Sequence, residues 1–258
     1  MKIRVLGCSG GIGGSHLRTT AFLVDHDILI DAGTGVGDLT IAELAAVDHV
    51  FITHAHLDHV VSLPFIMDSV GDMRDRPLTV HATAETIRIL QDHIFNWRIW
   101  PDFSQMPGGR PFLEYSVLSE AEPISLNGRM MTALPVNHTV PAVAYQLDSG
   151  VASLVFSGDT GPCEDFWAAV SRIKNLRYLL VECAFPDTEK ALAIESCHYC
   201  PSLLMSDLLQ WQPCWTSDVA VFITHLKPGK IEMTMHELAA YGSRFPVDFL
   251  QNHQVFDL

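Results

Sequence analysis

Positive charge is scarce in this chain. Lys and Arg total 16 against 30 Asp and Glu in 258 residues, a formal net charge of −14 with histidine neutral. Nucleic-acid binders carry a basic face, and a phosphate-rich polymer is repelled by a field of this sign. No nucleic-acid partner is therefore expected, whereas a small anion held by local charge is not excluded. Long hydrophobic runs are also missing. No stretch nears the ~20 apolar residues that cross a bilayer, and Met1-Lys2-Ile3-Arg4-Val5-Leu6 is too short an apolar run for a secretory signal. No membrane partner and a cytoplasmic location are expected. Cys8, Cys163, Cys183, Cys197, Cys200 and Cys214 follow no regular spacing, which excludes a disulfide framework and fits reduced thiols. Cys197-His198-Tyr199-Cys200 is a lone Cys-x-x-Cys, a weak sign of zinc or redox chemistry without a second pair. No repeat, low-complexity tract or linker interrupts the chain. At 48% hydrophobic it can bury a full core, and residues 1–258 are expected to form one domain.

What the chain has in quantity is histidine, 13 residues, and they are not evenly spread. Phe51-Ile52-Thr53-His54-Ala55-His56-Leu57-Asp58-His59 packs three of them and an aspartate into six positions after the strand-like run from His49. Alternate side chains of an extended chain share a side, so His54 and His56 can grip one ion. A helix starting at Leu57 swings Asp58 and His59 round to a second ion beside it. Imidazole and carboxylate are ligands that zinc, iron or manganese accept. The pattern predicts a two-metal site.

Around this motif the chain alternates between strand-like and helix-like runs. Residues 2–6 read as a strand, followed by Gly7-Cys8-Ser9-Gly10-Gly11-Ile12-Gly13-Gly14. A dinucleotide loop would open a helix here, but two further β-like runs follow, through Val24 and from Asp27 to Asp31. The glycines therefore make a tight turn or let the backbone pass close to a site. Thr40 is placed to cap a short helix through Ile41, Leu44 and Ala45. A buried helix is expected over Val60, Val61, Leu63, Ile66 and Met67, a strand over Leu78–Ala82, and a helix from Ala84 to Phe95. Such alternation indicates a layered α/β domain. Between residues 95 and 112, Phe95-Asn96-Trp97-Arg98-Ile99-Trp100-Pro101-Asp102-Phe103 is dense in rings. Two readings stand: a cap walling a pocket for a flat ring, with Asn96, Trp97, Trp100 and Arg98 (or Arg110) meeting substrate, or core and subunit packing.

Polar residues end three more apolar runs: His138 after Leu134-Pro135-Val136-Asn137, Asp159 after Leu154-Val155-Phe156-Ser157-Gly158, and His225 after Val221-Phe222-Ile223-Thr224. Strand ends are where α/β architecture gathers a site. Gly10-Gly11, Thr53 to His59, Asn137-His138, Ser157-Gly158-Asp159-Thr160 and Thr224-His225, in this order, resemble the metallo-β-lactamase superfamily over almost the whole chain. The resemblance implies a four-layered αββα sandwich, with His54, His56 and His138 on one metal, Asp58, His59 and His225 on the other, and Asp159 bridging. More narrowly, Leu57 within the motif, Phe95 to Phe103, Val181-Glu182-Cys183-Ala184-Phe185-Pro186, Ala193 to His198 and Thr224-His225-Leu226-Lys227-Pro228 resemble class II cyclic-nucleotide phosphodiesterases. Related tRNA 3′-processing endonucleases share a comparable Glu-containing strand and a later histidine matching His198. Two positions depart from the superfamily pattern: Ser62, where glycine is common, and Cys197-His198-Tyr199, where a Gly-His-Ser/Thr-like stretch is usual.

These resemblances imply hydrolysis of a small-molecule 3′,5′-cyclic nucleotide, cyclic AMP or cyclic GMP, to its 5′-monophosphate. Two divalent ions, zinc first with iron or manganese suiting the same ligands, are the implied cofactors. With Asp58, Asp159 and a hydroxide shared between the ions, the cluster carries a charge near +1, which suits a phosphodiester monoanion. Asp58 is the candidate to take the water proton. His198 is the candidate to protonate the leaving oxygen or clamp a phosphate oxygen, with a buried structural histidine as the alternative. Glu182 would orient His198, and Asn137 and Thr160 are candidate phosphate contacts. An RNA 3′-end endonuclease, a hydrolase of another small ester, and a sensor without turnover are the competing readings. Whether two copies pair as a homodimer is left open.

Overall fold

The computed structural model describes residues 1–14, 16–215, 218–242 and 246–258. The first seven-stranded sheet is built from β1 (Lys2–Gly7), β2 (Ala21–Val24), β3 (Ile28–Ile30), β4 (His49–Phe51), β5 (Leu78–Ala82) and β6 (Leu113–Val117). The second holds β7 (Ile124–Leu126), β8 (Arg129–Pro135), β9 (Val143–Asp148), β10 (Ser153–Phe156), β11 (Leu176–Glu182), β12 (Ala220–Thr224) and β13 (Asp248–Phe249). The last strand, β14 (Val255–Asp257), returns to the first sheet and pairs with β1. Each sheet is half antiparallel and half parallel: β3 to β6 run parallel in the first, and β10 to β13 in the second.

Both faces of the central strands are apolar, and their two-residue period sends alternate side chains to different layers. Phe22, Val24, Ile28, Ile30 and Phe51 meet Met131, Tyr145, Leu154, Phe156 and Leu180 in a core between the sheets. The intervening Leu23, Leu29, Val50 and Ile52 face outward, under α1 (Ile41–Ala46), α2 (Leu57–Val60), α3 (Leu63–Val70) and α4 (Ala84–His93). On the far side Val155, Leu179, Val181 and Ile223 are covered by α5 (Glu164–Ser171), α7 (Pro201–Trp211) and α8 (Ile231–Ala239), with α6 (Lys190–Glu195) preceding α7. Three apolar layers separate four layers of backbone, the expected αββα sandwich.

Local chemistry sets the helix ends. Thr40 accepts from the Glu43 amide while Glu43 reaches back to the Thr40 amide, a capping box at α1. The helix expected over Val60–Met67 is instead two. Pro64 in the first turn of α3 cannot extend a preceding helix, so α2 stops at Val60 and a new helix starts at Leu63. The segment 95–112 packs on the outer layer. Phe95 and Phe103 are buried there, and the Trp100 ring meets Phe65 of α3 edge-on at 5.3 Å.

At the end of the sandwich away from the strand termini that carry the histidines, one ion pair joins the sheets. The Arg129 guanidinium, at the start of β8, grips both oxygens of Asp27 at 2.6 and 2.7 Å in the turn between β2 and β3. It also reaches Asp25 at 3.0 Å. Hydrogen bonding from Arg129 holds the Asp27 carboxyl below its ordinary value of 3.8 despite burial. Its stabilisation is therefore complete above pH 3.8 and is lost as pH falls through the lowered folded-state value. Replacing Arg129 with Met leaves a buried carboxylate unpaired and should cost about 3 kcal/mol at pH 7, read as a fall in the urea midpoint. The difference from wild type should shrink in acid below the Asp27 titration. A pH-independent difference would assign the loss to packing alone.

Candidate metal centre

The ends of β3, β4, β8, β10, β11 and β12 lie along one edge of the sandwich, and each delivers a polar side chain to it. β4 runs out at Phe51, the chain stays extended through His54 and His56, and α2 begins at Leu57, turning Asp58 and His59 the other way. His138 follows β8, Asp159 follows β10, Glu182 ends β11 and His225 follows β12. Two quartets of donor atoms result, His54, His56, His138 and Asp159, and Asp58, His59, Asp159 and His225, each lying within 4.8 Å of one another. The structure thus brings together all seven residues of the expected ligand set, with Asp159 common to both quartets. Asp159 lies 3.1 Å from His225 Nδ1, 3.3 Å from His59 Nε2 and 3.7 Å from His54 Nε2.

The resemblance to the superfamily implies divalent metal ions, and the donor set can be tested against them. His54 Nε2, His59 Nε2, His225 Nδ1 and Asp159 Oδ1 are buried without a hydrogen-bond partner. A buried polar atom left unpaired costs about 1–3 kcal/mol, so donors in both quartets lack a counter-charge. A cation in each quartet satisfies them, and the residues fit. Burial lowers the pKa of His54 and His225, keeping both rings in the neutral form that ligates. For His59 burial acts in the same sense but is outweighed by Asp159 and Asp31, which push its pKa well up. The pocket thus demands positive charge even from a ligand that would surrender its proton to a metal.

Supporting hydrogen bonds fix which ring nitrogen faces inward. Asp31, fully buried at the end of β3, accepts from His59 Nδ1 at 2.7 Å and from the Thr53 amide at 2.8 Å. The Thr53 hydroxyl donates to Asp31 at 2.9 Å, which leaves its lone pair to accept from His54 Nδ1 at 3.0 Å. The carbonyl of Cys197 accepts from His138 Nδ1 at 3.2 Å. Each contact sets a tautomer with a free Nε2. Cys197 adopts a φ of 52°, the left-handed region that favours glycine, which accounts for the glycine usual at this place in the superfamily. Ser62, the other departure, donates its hydroxyl to the Gly33 carbonyl at 2.8 Å.

His198 stands at the rim of both quartets, its ring 5.0 Å from that of His138 and 5.4 Å from that of His225. Its Nδ1 contacts Glu182 Oε1 at 2.6 Å. Glu182 is saturated, accepting also from the amides of Thr160, Ala184 and Tyr199. Burial opposes the His198 imidazolium, yet the adjacent carboxylate prevails and its pKa rises.

Other expected contacts are placed elsewhere. Thr160 is fully buried, and its hydroxyl accepts from the Asn137 amide and donates to the Gly161 carbonyl. Asn137 Nδ2 donates to the Pro162 carbonyl. Both residues tie loops together. Asn96 spends its side chain on Asp92, Arg98 and Ile99 backbone, and Arg110 donates to the carbonyls of Arg74 and Asp75. Among the described residues no hydrogen bond or ring contact links Trp97, Arg98 or Trp100 to the quartets, while Phe95, Phe103 and Trp100 pack on the outer layer. Sequence reasoning missed Asp31, Thr53 and the Cys197 carbonyl. The signal for Asp31 was present as a charged residue directly after the apolar run Ile28-Leu29-Ile30.

A family model described as "Beta-lactamase superfamily domain" matches residues 26–244. The chain is 25% identical to a "Probable 3′,5′-cyclic-nucleotide phosphodiesterase" of Yersinia pestis, covering 88% of this chain and 78% of that protein. It is 28% identical to a "Ribonuclease Z" of Methanococcus maripaludis over 56% of this chain and 48% of that protein. Unliganded yeast PDE1 superposes with a TM-score of 0.83 at 19% identity, covering 100% of this chain and 99% of the other. If Asp31 holds His59 as described, Asp31→Asn should weaken metal binding about 10- to 100-fold in a chelator competition. An unchanged affinity would remove Asp31 from the centre.

Proposed function

The chain belongs to the beta-lactamase superfamily, and on that premise we propose that it hydrolyses 3′,5′-cyclic nucleotides, cyclic AMP foremost, to 5′-monophosphates. The observation that carries the proposal is the Glu182–His198 pair at 2.6 Å beside two donor quartets that share Asp159. Two divalent ions, zinc in preference to iron or manganese, would be held by His54, His56 and His138 and by Asp58, His59 and His225, with Asp159 between; they would supply Lewis-acid activation of water and of phosphoryl oxygens.

The protein's own groups perform the proton work. Asp58 is only partly buried and takes the proton of the attacking water on the open side of the site. His198, held through Nδ1 by Glu182, delivers a proton to the departing ribose oxygen. Glu182 keeps the imidazole in one orientation, since its own four hydrogen bonds leave it no freedom to turn. Leu57, 62% exposed between two ligands, offers apolar surface for the base. The nucleotide is the only partner proposed. The cysteines are all unpaired, in keeping with a cytoplasmic location.

Processing of RNA 3′ ends is the rival within the same family. A net charge of −14 opposes a polyanion the size of a folded RNA and leaves a single small phosphodiester favoured. Incubating the metal-loaded protein with cyclic AMP, cyclic GMP, a precursor tRNA and a generic phosphodiester should give 5′-monophosphate from a cyclic nucleotide. Cleavage confined to the tRNA would overturn the proposal. His198→Ala should retain its metal and lose about 10²- to 10⁴-fold in kcat, and Glu182→Gln should lower kcat in the same direction. Full turnover by His198→Ala would refute the proton-donor assignment.

A further inference from the structure

Six basic residues of this acidic chain pair with carboxylates: Arg4 with Glu43, Arg18 with Asp38, Arg74 and Arg76 with Asp48, Arg129 with Asp27, and Lys230 with Glu189. Lys227 is set apart by its place beside the candidate metal centre. It is half-buried two residues beyond the ligand His225, and among the described residues no carboxylate lies within ion-pair distance of it. Its Nζ instead touches the Gly10 carbonyl at 3.0 Å and His225 Nε2 at 3.1 Å. His225 Nε2 is in turn 3.8 Å from Asp58 Oδ2, so the ammonium lies at the rim of the second quartet.

The glycine run explains how a lysine fits there. A Cβ on Gly10 would meet the His225 carbonyl at 2.5 Å and Lys227 Cδ at 3.0 Å, and one on Gly11 would meet Pro228 at 3.0 Å. Only bare backbone can pass over the turn that carries His225 and Lys227. The Lys227 amide donates to Ala184 O at 3.2 Å, which pins the turn from below, next to the strand end that carries Glu182. The side chain is therefore held at the cluster by both of its neighbouring loops.

We infer that Lys227 is a substrate-binding residue whose ammonium takes a non-bridging oxygen of the phosphodiester at the centre, selecting an anionic ester over a neutral one. This rests on the phosphodiester reading of the site and adds to it the group that recognises the phosphate. A carbonyl and a ring nitrogen leave the charge of Lys227 without a counter-ion, and a bound anion supplies one.

The test is Lys227→Gln in the metal-loaded protein, which keeps an N–H donor for the Gly10 carbonyl and removes the charge. Metal content should stay at the wild-type level. Affinity for inorganic phosphate, measured by calorimetry, should fall about 10- to 100-fold. The KM for cyclic AMP should rise by a similar factor with a smaller change in kcat, and Lys227→Arg should recover most of both. Unchanged phosphate affinity in Lys227→Gln would overturn the inference, and so would loss of metal in proportion to activity, which would make Lys227 a prop for His225. If wild type binds phosphate through Lys227 but leaves cyclic nucleotides intact, the substrate proposal fails while this assignment stands. Wild-type turnover and phosphate binding in Lys227→Gln would have the opposite meaning.

Discussion

The organising constraint is a carboxylate that cannot stand alone. Asp159 is 2% exposed, and its neighbours are the imidazoles of His54, His59 and His225. A buried charge of this kind is tolerated only when opposite charge or hydrogen bonds surround it. Two of its neighbours are held from behind, His54 by Thr53 and His59 by Asp31, so that the free nitrogen of each points back at the carboxylate. The geometry of the centre is thus decided outside it, by residues that would touch neither metal nor substrate. The same logic extends to Glu182, whose four contacts fix His198 beside the centre.

The architecture makes this convergence possible by turning each sheet from antiparallel to parallel at its middle. Parallel strands put successive C-terminal ends on one edge, and β4, β10, β11 and β12 all contribute to the centre from that edge. At the opposite edge Arg129 stitches the β2–β3 turn to β8. One end of the sandwich is closed by an ion pair between protein groups. The other concentrates unpaired polar atoms.

Much of this was legible in the sequence because it depended on local pattern. The His-x-His-x-Asp-His run follows a strand and opens a helix, so its spacing alone assigned two sides to four ligands. His138, Asp159 and His225 ended apolar runs, a position with one structural meaning in an α/β chain. The capping box at Thr40 and Glu43 was equally local. What was not legible depended on facts of packing. Nothing in the order of letters tells a substrate-facing ring from a core ring, and Phe95 and Phe103 proved to be core. Thr160 adjoins a ligand in sequence yet points into the loop it braces. Asp31 was visible only as the end of a strand, because its partner His59 lies 28 residues away and a tertiary pairing leaves no periodic trace.

The spacing of the ligands along the polypeptide has a consequence for how the enzyme acquires its cofactor in a cell. His54 to His59 leave the ribosome early, while His225 is made only after most of the second sheet. At ordinary elongation rates that interval is on the order of ten seconds or more, during which a nascent three-histidine cluster can capture whichever ion is abundant. An ion held by that cluster alone would still be open to exchange when the last ligand arrives, so metal supply as well as ligand preference would bear on which ion stays.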